Sequence, residues 1–140
     1  MHEVVGYSLL LLISVVVLST CTIIGTSYSR VISETVLFNE AERIASRVTE
    51  TILTYYRCAD GNGSVTVYLN LPPDIRGREY HIYLDNDTRM LILEVQNSRV
   101  VVRKPLDLKA MLLGEIWSHE LAYARAVLRM NESVIWLGVG

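Results

Sequence analysis

The sequence predicts an α+β protein: a long N-terminal helix, membrane-spanning at first and amphipathic further on, followed by a small antiparallel β-rich head. Three observations carry this. Residues 4–29 hold no charged side chain. Residues 31–56 contain neither Pro nor Gly and repeat apolar side chains every three or four positions. Beyond residue 63 the apolar period drops to two, with turn formers between the runs. The expected organisation is a transmembrane anchor at 1–28, a helical extension at 29–58 and a head at 59–140.

Val4 to Tyr28 is long enough to be an anchor. About 25 residues of helix rise about 37 Å, against a hydrocarbon core of about 30 Å. Tyr7 and Tyr28 stand roughly 32 Å apart on that rise, where interfacial aromatic rings belong. A cleavable signal has a basic start and a shorter apolar core. Here Met1-His2-Glu3 brings no Lys or Arg, and the core is longer. Leu18-Ser19-Thr20-Cys21 has the outline of a bacterial lipobox. Thr20 stands where a smaller residue is usual, and the apolar run continues through Ile23 and Ile24. Cys21 therefore reads as a small residue of a membrane helix.

The extension reads as amphipathic. Leu37, Ala41, Ile44, Val48, Ile52 and Tyr55 form one stripe, and Glu34, Glu40, Arg43, Arg47 and Glu50 fill other positions. The two segments are expected to form one helix of about 50 residues, roughly 75 Å long. The stripe packs either on the following domain or on neighbouring copies, which would make a homo-oligomer. The turn formers around Gly61 and Gly63 end the helix.

In the head, Val65, Val67, Leu69 and Leu71 alternate with Ser64, Thr66, Tyr68 and Asn70. Tyr80, Ile82 and Leu84 begin a second strand, Leu91, Leu93 and Val95 mark a third, and Val100–Val102 a fourth. Two successive hairpins make a meander whose apolar face covers the long helix. Between 106 and 130, Leu113, Ile116, Trp117, Leu121 and Ala124 fit a helical stripe. A short helix or irregular segment is expected there, then a strand near Val127–Met130. Ser133 to Leu137 reads as a final strand, with Trp136 on the core.

Composition and motifs bound the function. The chain has 13 Lys and Arg, 15 Asp and Glu and a net charge of −2. That lacks the basic excess of a nucleic-acid binder, so none is expected as a partner. Cys21 lies in the apolar stretch and Cys58 far outside it, so they form neither a disulfide framework nor a zinc site. His119-Glu120-Leu121-Ala122-Tyr123 opens like a zinc-protease motif, but Tyr123 replaces the second histidine. There is no phosphate-binding loop and no nucleophile elbow. The expectation is a protein that is not an enzyme, with no catalytic residues, cofactor or metal.

Arg30, Arg43 and Arg47 after the span argue for a cytoplasmic C-terminal domain. Three glycosylation sequons, at Asn62, Asn86 and Asn131, argue for an outside one. The outside placement is preferred: a single-pass cell-membrane protein with its head extracellular.

The order of apolar helix, amphipathic helix and β-rich head resembles type IV pilin-like proteins. Glu3-Val4-Val5-Gly6-Tyr7-Ser8-Leu9-Leu10-Leu11 is similar to the opening of archaeal pilin-like and archaellum-associated proteins. Ser64–Pro72 and Gly77–Leu84 are similar to the heads of archaeal membrane-anchored secretion or pilin-like proteins. The resemblance spans residues 3–103 and is one of hydropathy and architecture. It implies a cell-envelope role, with pilin-like subunits or a surface-layer protein as partners. Pilin precursors carry a basic leader ending in Gly; Met1 opens this sequence without one, and Gly6 follows Val5 where a charge is usual. That departure points to an archaellum stator-type or accessory component that stays in the bilayer. A filament subunit and a membrane-tethered binding or sensory module are the alternatives. The resemblance also implies a subunit-pairing role for Glu3; on its own context Glu3 is a solvated charge in a short tail.

Overall fold

The computed structural model describes residues 2–59 and 63–140. They comprise one helix, α1 (His2–Cys58), and seven strands: β1 (Val65–Leu69), β2 (Tyr80–Asp85), β3 (Met90–Val95), β4 (Val101–Pro105), β5 (Met111–Trp117), β6 (Ala126–Met130) and β7 (Val134–Val139). A 3-10 turn, Ser118–Ala122, follows β5. The chain is therefore α+β, with a long helix ahead of a mostly antiparallel sheet. It divides into two units, residues 1–35 and 36–140, each described by itself.

Residues 2–35 are helical throughout, and every side chain is exposed. No proline interrupts them, and Gly6 and Gly25 are their only glycines.

In the second unit the last part of α1 lies on one face of the sheet. Leu37, Ala41, Ala45, Val48 and Ile52 are buried at spacings of four, four, three and four. They share one core with Tyr80, Ile82, Leu91, Leu93, Leu128 and Leu137. Ala41 and Ala45 are fully buried in that core. The expected stripe shifts slightly: Ala45 takes the central place beside a half-buried Ile44, and Tyr56 turns inward where Tyr55 was expected. The Tyr56 hydroxyl donates to the Glu132 carbonyl at 3.2 Å, which fixes that ring. Lys104 Nζ meets Glu42 Oε1 at 3.0 Å, tying edge strand β4 to the helix.

The strand order is β1-β6-β7-β5-β2-β3-β4. The meander β2-β3-β4 is antiparallel, as the alternation predicts. Within 106–130 the expected strand near Val127–Met130 is β6, and the 3-10 turn Ser118–Ala122 falls in the stretch read as a short helix or irregular segment, but the segment before that turn is extended. It forms β5, with Leu112 and Ile116 inward and Met111, Leu113 and Glu115 outward. Apolar Met111, Leu113 and Trp117 on the outer face blur the alternation and produce the false helical stripe. β5 pairs parallel with β7 through residues 111–114 and antiparallel with β2 through 115–117. Gly114 stands at the changeover with φ +102°, and a Cβ there would sit 1.9 Å from the Leu137 carbonyl oxygen. Only glycine fits both constraints.

Trp136 also departs from expectation. It lies on the outer face, half-buried, with its ring over Gly138 where a Cβ would be 2.3 Å from the indole. The Arg129 guanidinium stands 5.3 Å from the ring centroid.

Candidate functional site

The first candidate is the apolar part of α1. An 18-residue window reaches a mean hydropathy of 2.4, so by length and composition this helix can cross a membrane. Its hydroxyl groups are the difficulty in lipid, where a donor without an acceptor is costly. Six of them find an acceptor one turn back. Ser8 donates to the Val4 carbonyl at 2.9 Å, Ser14 to Leu10 at 2.8 Å, and Ser19 to Val15 at 2.8 Å. Thr20, Thr22 and Thr26 do the same to Val16, Leu18 and Thr22 at 2.8, 2.8 and 3.0 Å. The segment thus presents hydrocarbon outward and leaves these polar hydrogens satisfied within itself. Glu3 lies in the first turn of α1, where a carboxylate complements the helix dipole. Cys21 and Cys58 are both free thiols.

Two of the three sequons fall on described residues; Asn62 lies outside them. Asn86 is exposed in the β2–β3 turn, and its Oδ1 accepts from the Leu112 N–H at 3.1 Å. Asn131 is exposed in the β6–β7 turn, and its Oδ1 accepts from Ser133 N at 2.9 Å and Val134 N at 2.6 Å. In both, the amide oxygen is engaged and the side chain stands at the surface. Beside Asn86, Asp85 accepts from the Thr88 hydroxyl at 2.7 Å and the Asp87 N–H at 3.0 Å. These bonds, the hydroxyl first, hold its carboxyl below the ordinary aspartate range.

The outer face of the sheet carries an aromatic group that the sequence did not disclose. His81 stacks on Trp117 at 3.9 Å between ring centroids, and on Tyr83 at 5.0 Å. Its Nε2 lies 2.8 Å from Glu115 Oε2. The register explains this, because β2–β5 pairing sets His81 opposite Trp117 and Tyr83 opposite Glu115. The Tyr83 phenol is raised by burial and then by Glu94, whose Oε1 accepts from it at 3.2 Å. Glu120 serves the backbone: its Oε2 accepts from Trp117 N at 3.1 Å and caps the 3-10 turn. His119 lies 4.0 Å from Glu79. Among the described residues no three His, Cys, Asp or Glu side chains converge as metal ligands. Tyr80 is an internal brace, its hydroxyl donating to the Pro72 carbonyl and its N–H to Ser118 Oγ at 2.9 Å. Burial, then Asp74, pushes its phenol far above the ordinary value.

A family model, DUF7266, described as a family of unknown function, matches residues 1–133. The chain belongs to this family. The match takes in both the apolar helix and the sheet through β6, so the DUF7266 unit joins the two in one chain. Neither the curated proteins nor the solved structures contain a match to the chain.

Proposed function

We propose that this DUF7266 protein is a non-enzymatic, single-pass envelope protein, held in the bilayer by the apolar part of α1. Its β-rich head acts as a binding module on the outer side of the cell membrane. In the finer reading it is a pilin-like accessory or stator-type component of an archaeal pilus- or archaellum-related system. The observation that carries the reading is the division of labour within α1: an all-exposed apolar half with internally bonded hydroxyls, and a half with one face built into the head's core. Burial of such a span in lipid makes attachment effectively irreversible.

The test is fractionation of the native host after mechanical shearing, with mass spectrometry of the N-terminal and sequon peptides. The accessory reading expects recovery in the membrane pellet, with the N-terminal peptide starting at Met1. Recovery in sheared filaments, with an N-terminus near Tyr7, would make it a filament subunit instead. Glycan on Asn62, Asn86 or Asn131 would support the outside placement.

A further inference from the structure

A groove of about 450 Å³ runs between the flank of α1 and the segment leaving β1, and two arginines line it. Arg43 and Arg47 stand one helical turn apart and are exposed. Neither has an ion-pair partner among the described residues. Of the groove's two carboxylates only Glu40 is paired with a cation, and with its partner Arg76 counted three arginines face two carboxylates. Glu40 Oε1 accepts from Arg76 Nε at 3.0 Å, and Asp74 Oδ1 accepts from the Gly77 N–H at 2.9 Å. The remaining lining is apolar, with Ile44, Leu71, Pro72 and Ile75 among it. β1 is an edge strand that leads straight into this wall through Asn70 and Leu71. Such an edge offers alternate N–H and C=O groups to another extended chain.

We propose that this groove binds an extended acidic peptide segment of a partner protein, with alternating carboxylate and apolar side chains. Charge complementarity names the occupant. Two guanidiniums at helical i, i+4 spacing form charge-assisted bonds to carboxylates, while the apolar wall takes the intervening side chains. A simple phosphate gains nothing from that wall. The inference rests on the reading of the head as a binding module and is independent of the anchor, because the groove lies wholly within residues 36–140.

The test uses the full chain in detergent micelles and a fluorescein-labelled heptapeptide of alternating leucine and glutamate, read by anisotropy. Saturable binding is expected, weakened about tenfold or more in the Arg43→Gln/Arg47→Gln double variant, since bonds to charged groups are strong. Arg129→Gln, on the outer face, is expected to leave it unchanged, and a lysine-for-glutamate peptide is expected not to bind. Circular dichroism of the double variant checks that the head is intact. Absence of saturable binding would overturn the proposal, as would unchanged affinity in the double variant. Displacement by inorganic phosphate, beyond that by chloride at equal ionic strength, would overturn it too and show a plain anion site. None of these outcomes bears on membrane attachment, which extraction of the same chain reads separately.

Discussion

Val15, Val16, Val17 and Leu18 are each more than half exposed on α1, whereas Leu37, Ala41, Ala45 and Val48 on the same helix are buried. The backbone is the same in both regions, so the difference lies in what the side chains meet. The later half is apolar on one stripe, and the sheet of its own chain covers that stripe. The earlier half is apolar around its whole circumference, and no stripe of its own chain can cover that. A helix of the second kind calls for an apolar solvent on all sides. The comparison teaches that a single helix can carry two apolar patterns, and that the pattern of apolar residues, more than their number, separates the half that its own chain covers from the half that it does not.

Substitutions in the two halves are expected to have separable effects. The largest belongs to Ala45→Glu, which forces a long charged side chain into the helix–sheet contact. A loss of about 4 kcal/mol or more is expected, so the head fails to fold while the chain stays with the membrane. Protease sensitivity and membrane pelleting of the same sample check both halves of that statement. Gly114→Ala attacks the sheet where β5 changes partners, against a backbone oxygen and at positive φ. About 3 kcal/mol is expected there, read as a lower midpoint in denaturant. Val17→Arg reverses the Ala45 outcome. It costs about 3 kcal/mol of insertion free energy at mid-span and leaves the head's unfolding transition in place. Alkaline extraction reads the shift.

Thr49 sharpens the comparison by contrast with the hydroxyls of the apolar half. Its Oγ1 is buried without a hydrogen-bond partner, while Ser14, Ser19 and Thr22 all bond one turn back. Thr49→Val keeps the shape and removes the unpaired group. The head is expected to gain about 1 kcal/mol, seen as a raised midpoint. The smallest effect is at Asp85. Its folded pKa is depressed, so its contribution is full above the unfolded aspartate value and is lost as pH falls through the lower folded one. Asp85→Asn is expected to flatten stability across that acidic window, and melting temperatures measured along a pH series check it.

The local patterns were legible in sequence. Period-two alternation disclosed the meander, and an uninterrupted run without Pro or Gly disclosed α1. What stayed hidden depends on contacts between distant residues. β5 was masked because Met111, Leu113 and Trp117 are apolar on a solvent-facing side. The parallel β5–β7 pairing has no local signal, and only Gly114, isolated in an apolar run, hinted at a close backbone approach. Trp136 was assigned inward on hydrophobicity alone, although Gly138, two residues on, makes room for its ring outside. Of the candidate sites, the sequons could be read from their motif. The His81–Trp117–Tyr83 stack and the Arg43–Arg47 groove could not, because strand register and a chain crossing assemble them.

The chain's two cysteines offer the most direct test of the central claim, that one half of α1 lives in lipid and the other belongs to a water-exposed head. Both thiols are free and both are exposed on the isolated protein, so protein packing alone would let both react. The measurement is labelling of intact host cells with a membrane-impermeant maleimide, with mass spectrometry of the two cysteine peptides before and after detergent. The account predicts modification of Cys58 in intact cells and of Cys21 only once detergent has removed the bilayer. Equal modification of Cys21 and Cys58 in intact cells would contradict it.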